Sequence, residues 1–185
     1  MMNMRLAATI LVASLGAAAV SGSSALAQAQ QQPVSALKGH NSDAPIDVTA
    51  ERIEVQDRSD RAVFAGNVHV TQSDLMLDTE RLTVAYSGGA GSGVQIRRLD
   101  ASGGVTVRSP SETARGDFGI YDLDRKLITL LGNVRLVRQQ NQVSGARLVI
   151  DLDSGRAVID GGPPGVNQSG GRVTGHFTVP SRRPR

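Results

Sequence analysis

Cysteine and tryptophan are both absent from this 185-residue sequence, and aromatic residues make up only 3% of it. Without cysteine there are no disulfides, no thiol catalysis and no cysteine-ligated metal centre. The shortage of aromatics removes the stacking platforms on which single-stranded nucleic acids are held, and it weighs against sugar stacking as well. Histidine is nearly as scarce: His40, His69 and His176 are the full set. None has a second histidine or a carboxylate at metal-ligand spacing on a clear element. Lysine is confined to Lys38 and Lys126, and the arginines are interleaved with acids to leave a formal net charge of +3. That is no nucleic-acid footprint. Beyond Val20 no apolar run approaches the roughly 20 residues of a membrane span.

What is present begins with a leader. Arg5 supplies a positive n-region, Leu6 to Val20 is apolar and uncharged, and Ala25-Leu26-Ala27 fits the small-x-small cleavage pattern. Residues 1–27 are therefore expected to be a signal peptide cleaved after Ala27, with the mature chain exported. The other reading is an uncleaved anchor, for which the apolar run is short. Residues 28–42 are polar and glutamine-rich, and are expected to be disordered. Residues 181–185, "SRRPR", form a basic tail. One domain is expected over 43–180.

Within that domain the apolar residues alternate. Ile46 and Val48 are separated by Asp47, and Ile53 and Val55 by Glu54. Ala62, Phe64, Val68 and Val70 share a parity, followed by Leu75, Leu77, Leu82, Val84 and Tyr86. Period two marks strands with one buried face, and no convincing helical stripe follows the leader. The Gly-rich "SGGAGSG" at 87–93 reads as a long hairpin turn. A phosphate cradle would need a strand feeding a helix and a Lys or Ser/Thr at fixed offset, neither of which is visible. A last strand is expected near 172–179.

A short pattern recurs. Gly66-Asn67-Val68-His69-Val70 returns as Gly103-Gly104-Val105-Thr106-Val107 and as Gly132-Asn133-Val134-Arg135-Leu136, and Gly103, Gly132 and Gly161 are evenly spaced. The block 51–66 aligns without gaps on 146–161, and 117–132 fits the same frame more loosely. Each unit reads as strand, polar turn, strand, glycine, strand. A helix-free repeat of this length predicts stacked β structure, because one unit cannot bury its apolar side alone. The glycine has a physical role, since a strand that turns sharply toward a new face needs φ > 0 or a bulge.

Catalytic constellations are weak. Asp151-Leu152-Asp153-Ser154-Gly155 resembles the start of a calcium loop but lacks the rest of that pattern, and a turn is the better reading. Asp122, Asp124, Asp151 and Asp153 stand at strand ends. A paired-carboxylate glycosidase built on them is the enzymatic alternative, disfavoured by the lack of aromatics. No cofactor or metal is expected. The inward apolar row has two readings, a filled core or the lining of a trough between two curved sheets, and periodicity alone does not separate them.

The segments "PIDVTAERIEV", "VFAGNVHVTQSDLMLDTERLTVAY", "ASGGVTVRS", "YDLDRKLITLLGNVRL" and "VSGARLVIDLDSGRAVIDG", in this order behind a leader, resemble the OstA-like family of periplasmic lipopolysaccharide transport proteins typified by LptA. The resemblance covers about residues 43–180. It implies an all-β fold, a twisted β-jellyroll that is V-shaped in section and built of stacked antiparallel strands. It further implies a non-enzymatic periplasmic subunit that holds the acyl chains of lipid A inside while the sugars stay outside. Copies would stack head to tail between an LptC-type inner-membrane protein and the N-terminal domain of an LptD-type outer-membrane protein. The family's lipid contacts correspond to Ile46, Val48, Val107, Tyr121 and Leu123, and the inward repeat positions Phe64, Val68 and Val134 join them. Family members often carry a larger aromatic where Val107 stands, and commonly glycine where Ser73 stands. Arg52, Arg147 and Arg172 are either contacts for lipid phosphates or solvated strand positions. Two alternatives are an LptC-like module that keeps its membrane anchor, which N-terminal sequencing separates, and a glycan-acting β-solenoid enzyme, which Asp→Asn changes would silence. A third is a purely structural exported β-repeat.

Overall fold

The computed structural model describes residues 37, 40–88, 93–162 and 171–179. Ten strands form one antiparallel sheet: β1 (Asp47–Thr49), β2 (Arg52–Gln56), β3 (Arg61–Gln72), β4 (Leu75–Ser87), β5 (Gln95–Arg108), β6 (Glu112–Asp122), β7 (Leu127–Arg138), β8 (Asn141–Asp151), β9 (Arg156–Asp160) and β10 (Thr174–His176). β3 to β8 run as a meander in sequence order, as short polar turns dictate. β1 and β2 both pair with β3, and β9 and β10 both pair with β8. Among the described residues the only helix is one 3-10 turn, Asp57–Ser59, between β2 and β3. The fold class is the one the alternating pattern predicts.

The recurring glycines explain how one sheet makes two layers. Besides a second shift of β4 on β5 at Ala85/Tyr86, each of the five neighbouring pairs from β3 to β8 shifts register at mid-strand, at Ala65/Val68, Asp78/Arg81, Ser102/Val105, Arg115/Phe118 and Leu131/Val134. These bulges form a crease across the strands. Gly66 and Asn67, Gly103 and Gly104, and Gly132 and Asn133 sit on it with φ between 46° and 89°, the left-handed region open to glycine and tolerated by asparagine. The repeated motif therefore bends a continuous strand rather than ending it. The crease divides the sheet into two leaves. One holds β2, β9 and the Phe64, Leu82, Tyr121, Leu130 and Leu148 halves of the meander. The other holds β1, β10 and the Val68, Leu77, Val107, Ala114 and Val134 halves.

The leaves face each other, and apolar burial holds them there. The inner residues beside the crease are the most deeply packed: Leu82, Leu130 and Leu148 are 0% exposed, and Val68, Val105 and Val134 are 1% exposed. Gly119 lets the leaves close tightly, because a Cβ there would lie 3.0 Å from Val105 Cγ1 of the opposite leaf. Farther from the crease the hairpin ends of the two leaves form a mouth.

Several turns carry their own chemistry. Ser73 has φ of 53° in the β3–β4 turn, so the position keeps the left-handed conformation that glycine adopts freely. β4 and β5 stay paired out to Ser87 and Gln95, so the Gly-rich segment closes a hairpin as its composition predicts; 89–92 lie outside the described residues. In the Asp151–Gly155 turn the Asp151 carboxylate accepts the Ser154 N–H at 2.9 Å, which makes it a turn cap. The expected strand near 172–179 is short, three residues paired to β8. The expected leader (1–27), most of the segment 28–42 and the basic tail (181–185) lie outside the described residues. The end of that segment is packed: Leu37 is 7% and His40 8% exposed.

Candidate functional site

Period two decides which side chains enter the space between the leaves, and distance from the crease decides how deep they lie. Val68 and Val134 belong to the packed row beside the crease. Val107 and Tyr121, each 3% exposed, lie one step nearer the mouth. Ile46, Val48, Phe64 and Leu123 are only partly buried and pack on the outside of that core.

Ile46, Val48 and Phe64 line an apolar cavity of about 870 Å³ at the β1/β2 end of the sheet. Ala62, Val84, Tyr86, Val94, Ile96 and Val55 complete its walls, and Asp57 and Asp60 mark its rim. Ile46 and Val48 come from one leaf and Phe64, Val84 and Ile96 from the other, so the cavity is the unfilled continuation of the core. Its volume is in the range of small-molecule sites. Tyr86 is the polar exception in the wall. Burial, then the charges of Asp57 and Asp60, push its phenol above the ordinary range, so it stays a neutral hydroxyl.

The inner face continues past this cavity to the edge of the sheet. Ile53 pairs with Phe64 and Val55 with Ala62, which places both on the inner side of β2, yet they are 57% and 58% exposed. At the other end Val173 and Phe177, flanking β10, are 44% and 62% exposed. β1 and β2 at one end, and β9 and β10 at the other, have a strand on one side only among the described residues. Apolar side chains and unpaired backbone thus coincide at both ends.

The mouth carries a buried polar cluster. Tyr121 Oη donates to Gln72 Oε1 at 3.0 Å across the leaves. Gln72, 1% exposed, also contacts His40 Nε2 at 3.2 Å through Oε1 and donates through Nε2 to the carbonyls of Ser42 and Ala44 at 2.9 and 3.0 Å. Burial pushes the Tyr121 phenol up to about 12, against an opposing effect of its hydrogen bond to Gln72 and with a smaller push from Asp43. Glu112, nearby on β6, is also pushed up by burial, with Arg138 opposing.

The outer faces are polar and ion-paired. His69 is on the outer face, its Nδ1 2.6 Å from Asp78 Oδ1, and Asp78 also pairs with Arg108. Arg147 donates to Asp160 through Nε at 3.1 Å and Nη2 at 2.6 Å, and Arg52 is 3.4 Å from Glu54. These two arginines are engaged with carboxylates outside the sheet. The alternation already marks Ala62, Val84 and Tyr86 as inward. Sequence reasoning misses Val94 and Ile96, which follow the Gly-rich turn, and Gln72, whose side-chain partners Tyr121, His40, Ser42 and Ala44 are distant in sequence.

A single antiparallel sheet creased into two leaves, with an apolar lumen and open edges at both ends, defines an open-ended β-jellyroll. Residues 47–156 match the family described as LptA/(LptD N-terminal domain) LPS transport protein, and the chain belongs to that family. An uncharacterised protein of Rhizobium meliloti (strain 1021) is 34% identical over 184 residues, covering 97% of this chain and 94% of that protein. The crystal structure of LptH from Pseudomonas aeruginosa, described as the LptA-homologous periplasmic component of the conserved lipopolysaccharide transport device, superposes with a TM-score of 0.67. That match covers 76% of this chain and 99% of the other at 18% identity, a likeness of fold.

Proposed function

We propose that the protein is exported to the periplasm and binds lipopolysaccharide there by the acyl chains of lipid A. The chains lie between the leaves, and the sugars stay outside the mouth. The observation that carries this reading is the apolar cavity of about 870 Å³ that opens toward the exposed inner face of β2. Burying acyl chains there contributes about 0.8 kcal/mol per methylene, so a lipid with several chains is held firmly.

The second half of the proposal is head-to-tail stacking. An unpaired edge with exposed apolar neighbours is a template for strand addition. Joining the β9/β10 edge of one copy to the β1/β2 edge of the next would cover Ile53 and Val55 and extend the lumen from one copy into the next. The end copies would meet an LptC-type inner-membrane protein and the N-terminal domain of an LptD-type outer-membrane protein. In this role the protein is a passive, non-enzymatic conduit.

Photo-crosslinking residues test the lumen in cells. At Ile46 or Tyr121 they are expected to capture lipopolysaccharide, and at His69, on the outer face, they are not. Equal labelling at all three positions overturns the reading.

A further inference from the structure

We propose that Leu37 and the stretch His40–Ala44 act as a strap that occupies part of the lumen in the lipid-free chain and is displaced when lipid enters. This rests on the lipid-trough reading above and concerns the regulation of that same site.

The strap is held at two points. Leu37 is buried in a slot walled by Val107, Ala114 and Leu136 of one leaf and Ile150 of the other. It fills space between the leaves that would otherwise extend the lumen. The second point is the latch at the mouth. The His40 side chain is 0% exposed, with Nδ1 2.9 Å from Asp74 Oδ1 and Nε2 on Gln72. Gln72 in turn holds the Ser42 and Ala44 carbonyls.

Three observations make this an occupant rather than a permanent part of the core. Among the described residues the strap joins no strand: its backbone hydrogen bonds run within itself, His40 N–H to Leu37 O at 3.1 Å and Ala44 N–H to Asn41 O at 3.2 Å. Its release therefore breaks no sheet ladder. Leu37 is held at φ of 61°, a region that a γ-branched L-residue enters only under constraint. Finally, the slot is imperfectly matched to leucine. Ser109 Oγ and both carboxyl oxygens of Glu112 have no hydrogen-bond partner among the described residues. Arg138 Nε stands 3.6 Å from Glu112 Oε1, as an ion pair. A leucine offers these acceptors nothing. An amphiphile with an apolar chain and an N–H or O–H donor beside it satisfies both the slot and its polar rim.

The consequence is competition. A binding site that is open only in the strap-released fraction of molecules shows an affinity reduced by that fraction. The cavity at the β1/β2 end lies beyond the strap and stays open, so lipid can enter there and advance by displacing it.

The test uses the purified full-length mature chain with a diazirine amino acid at position 37. Without lipid, irradiation is expected to join position 37 to peptides containing Val107, Ala114, Leu136 or Ile150. Purified lipopolysaccharide is expected to lower that internal adduct at least fivefold and replace it with a lipid adduct. Leu37→Ser, and separately a chain beginning at Pro45, should bind a fluorescent acyl probe more tightly by about fivefold or more. Absence of the internal adduct in the lipid-free chain overturns the strap. So does an internal adduct undiminished at lipid concentrations that saturate crosslinking from Ile46. If Ile46 captures no lipid at any concentration, the lipid-trough reading itself fails, and with it the strap's role as a competitor. The internal adduct then still reports where Leu37 sits.

Discussion

If the crease sets the spacing of the two leaves, a single methyl group at Gly132 should be costly. Gly132 sits at φ of +75°, and a Cβ built there lies 2.9 Å from Asp117 Cγ and 3.0 Å from Asp117 Cβ. Forcing an L-residue into the left-handed region costs about 1–2 kcal/mol. The contact with Asp117 must also be relieved. The Asp117 carboxylate is not free to swing away without loss, because it accepts the Asn133 Nδ2–H at 2.9 Å, an exposed bond worth about 0.5–1 kcal/mol. Gly132→Ala should therefore destabilise by about 1.5–3 kcal/mol, a sum of these two contributions. Gly104, on the same crease in β5, separates them. Its φ is +84°, but a Cβ there meets nothing within 4 Å, so Gly104→Ala should show only the backbone part, about 1–2 kcal/mol. With no tryptophan in the chain, urea unfolding followed by far-ultraviolet circular dichroism is the suitable assay. For a slope of roughly 1–3 kcal/mol per molar urea, the Gly132→Ala midpoint falls by about 0.5 M or more. In an Asp117→Ala background the cost at Gly132 should drop toward that at Gly104, a coupling of about 1 kcal/mol. A Gly132→Ala cost below about 0.5 kcal/mol, or one indifferent to Asp117, refutes the account of the crease.

Two further predictions concern the edges. Ile53→Asp with Val55→Asp places charges on the exposed inner side of β2, where 57% and 58% exposure in the single chain means little folding energy is at stake. Circular dichroism should be unchanged within about 0.5 kcal/mol of stability, while sedimentation of concentrated protein should lose any head-to-tail species; oligomers indifferent to both charges contradict the stacking geometry. At the opposite edge, hydrogen bonds from Arg147, and more weakly the Gly162 N–H, outweigh burial and hold the Asp160 carboxyl below its ordinary 3.8. Because the folded pKa is depressed, the link between β8 and β9 is complete above that ordinary value and is lost as pH falls through the depressed one. Carbon-detected NMR titration of Asp160 should show this, and Arg147→Gln should raise its midpoint; a midpoint unmoved by that change removes Arg147 as the cause.

Much of the fold was legible because its main device is written in glycine. The positions where φ exceeds 0 in the middle of β3, β5 and β7 are the repeated pairs Gly66-Asn67, Gly103-Gly104 and Gly132-Asn133. The partner strands β4, β6 and β8 carry no extra residue and so leave less trace: Thr79 and Glu80 follow the register imposed by their neighbours. Thr79 donates to Ser102 O at 2.8 Å opposite the bulge of β5, a role its sequence position does not announce. Leu37 and His40 escaped a local reading for a related reason. Their burial comes entirely from residues distant in sequence, Val107 to Ile150 for one and Gln72 and Asp74 for the other. A glutamine-rich neighbourhood carries no local sign of such contacts.

The ambiguity between core and lumen was of another kind. Alternation reports only the side of the sheet, and Val68 and Phe64 lie on the same side. They differ in what stands opposite. Val68 begins a row that continues through Val105 and Val134, all 1% exposed, where the two leaves converge on the crease. Phe64, on the same strand and equally near Gly66, faces the cavity. Distance from the glycine and place in the sheet are the same for both, so only the opposite leaf decides which is core and which is lining. Val84, Tyr86 and Ile96 line the same cavity as Ile46 and Val48. Crosslinkers at those three positions should share the lipid labelling, and Val134, beside the crease on an interior strand, should be spared. If lipid instead labelled Val134 as strongly as Ile96, the leaves would have to part at the crease itself. The close approach of Gly119 to Val105 would then have to open, which a bend fixed by positive-φ glycines opposes.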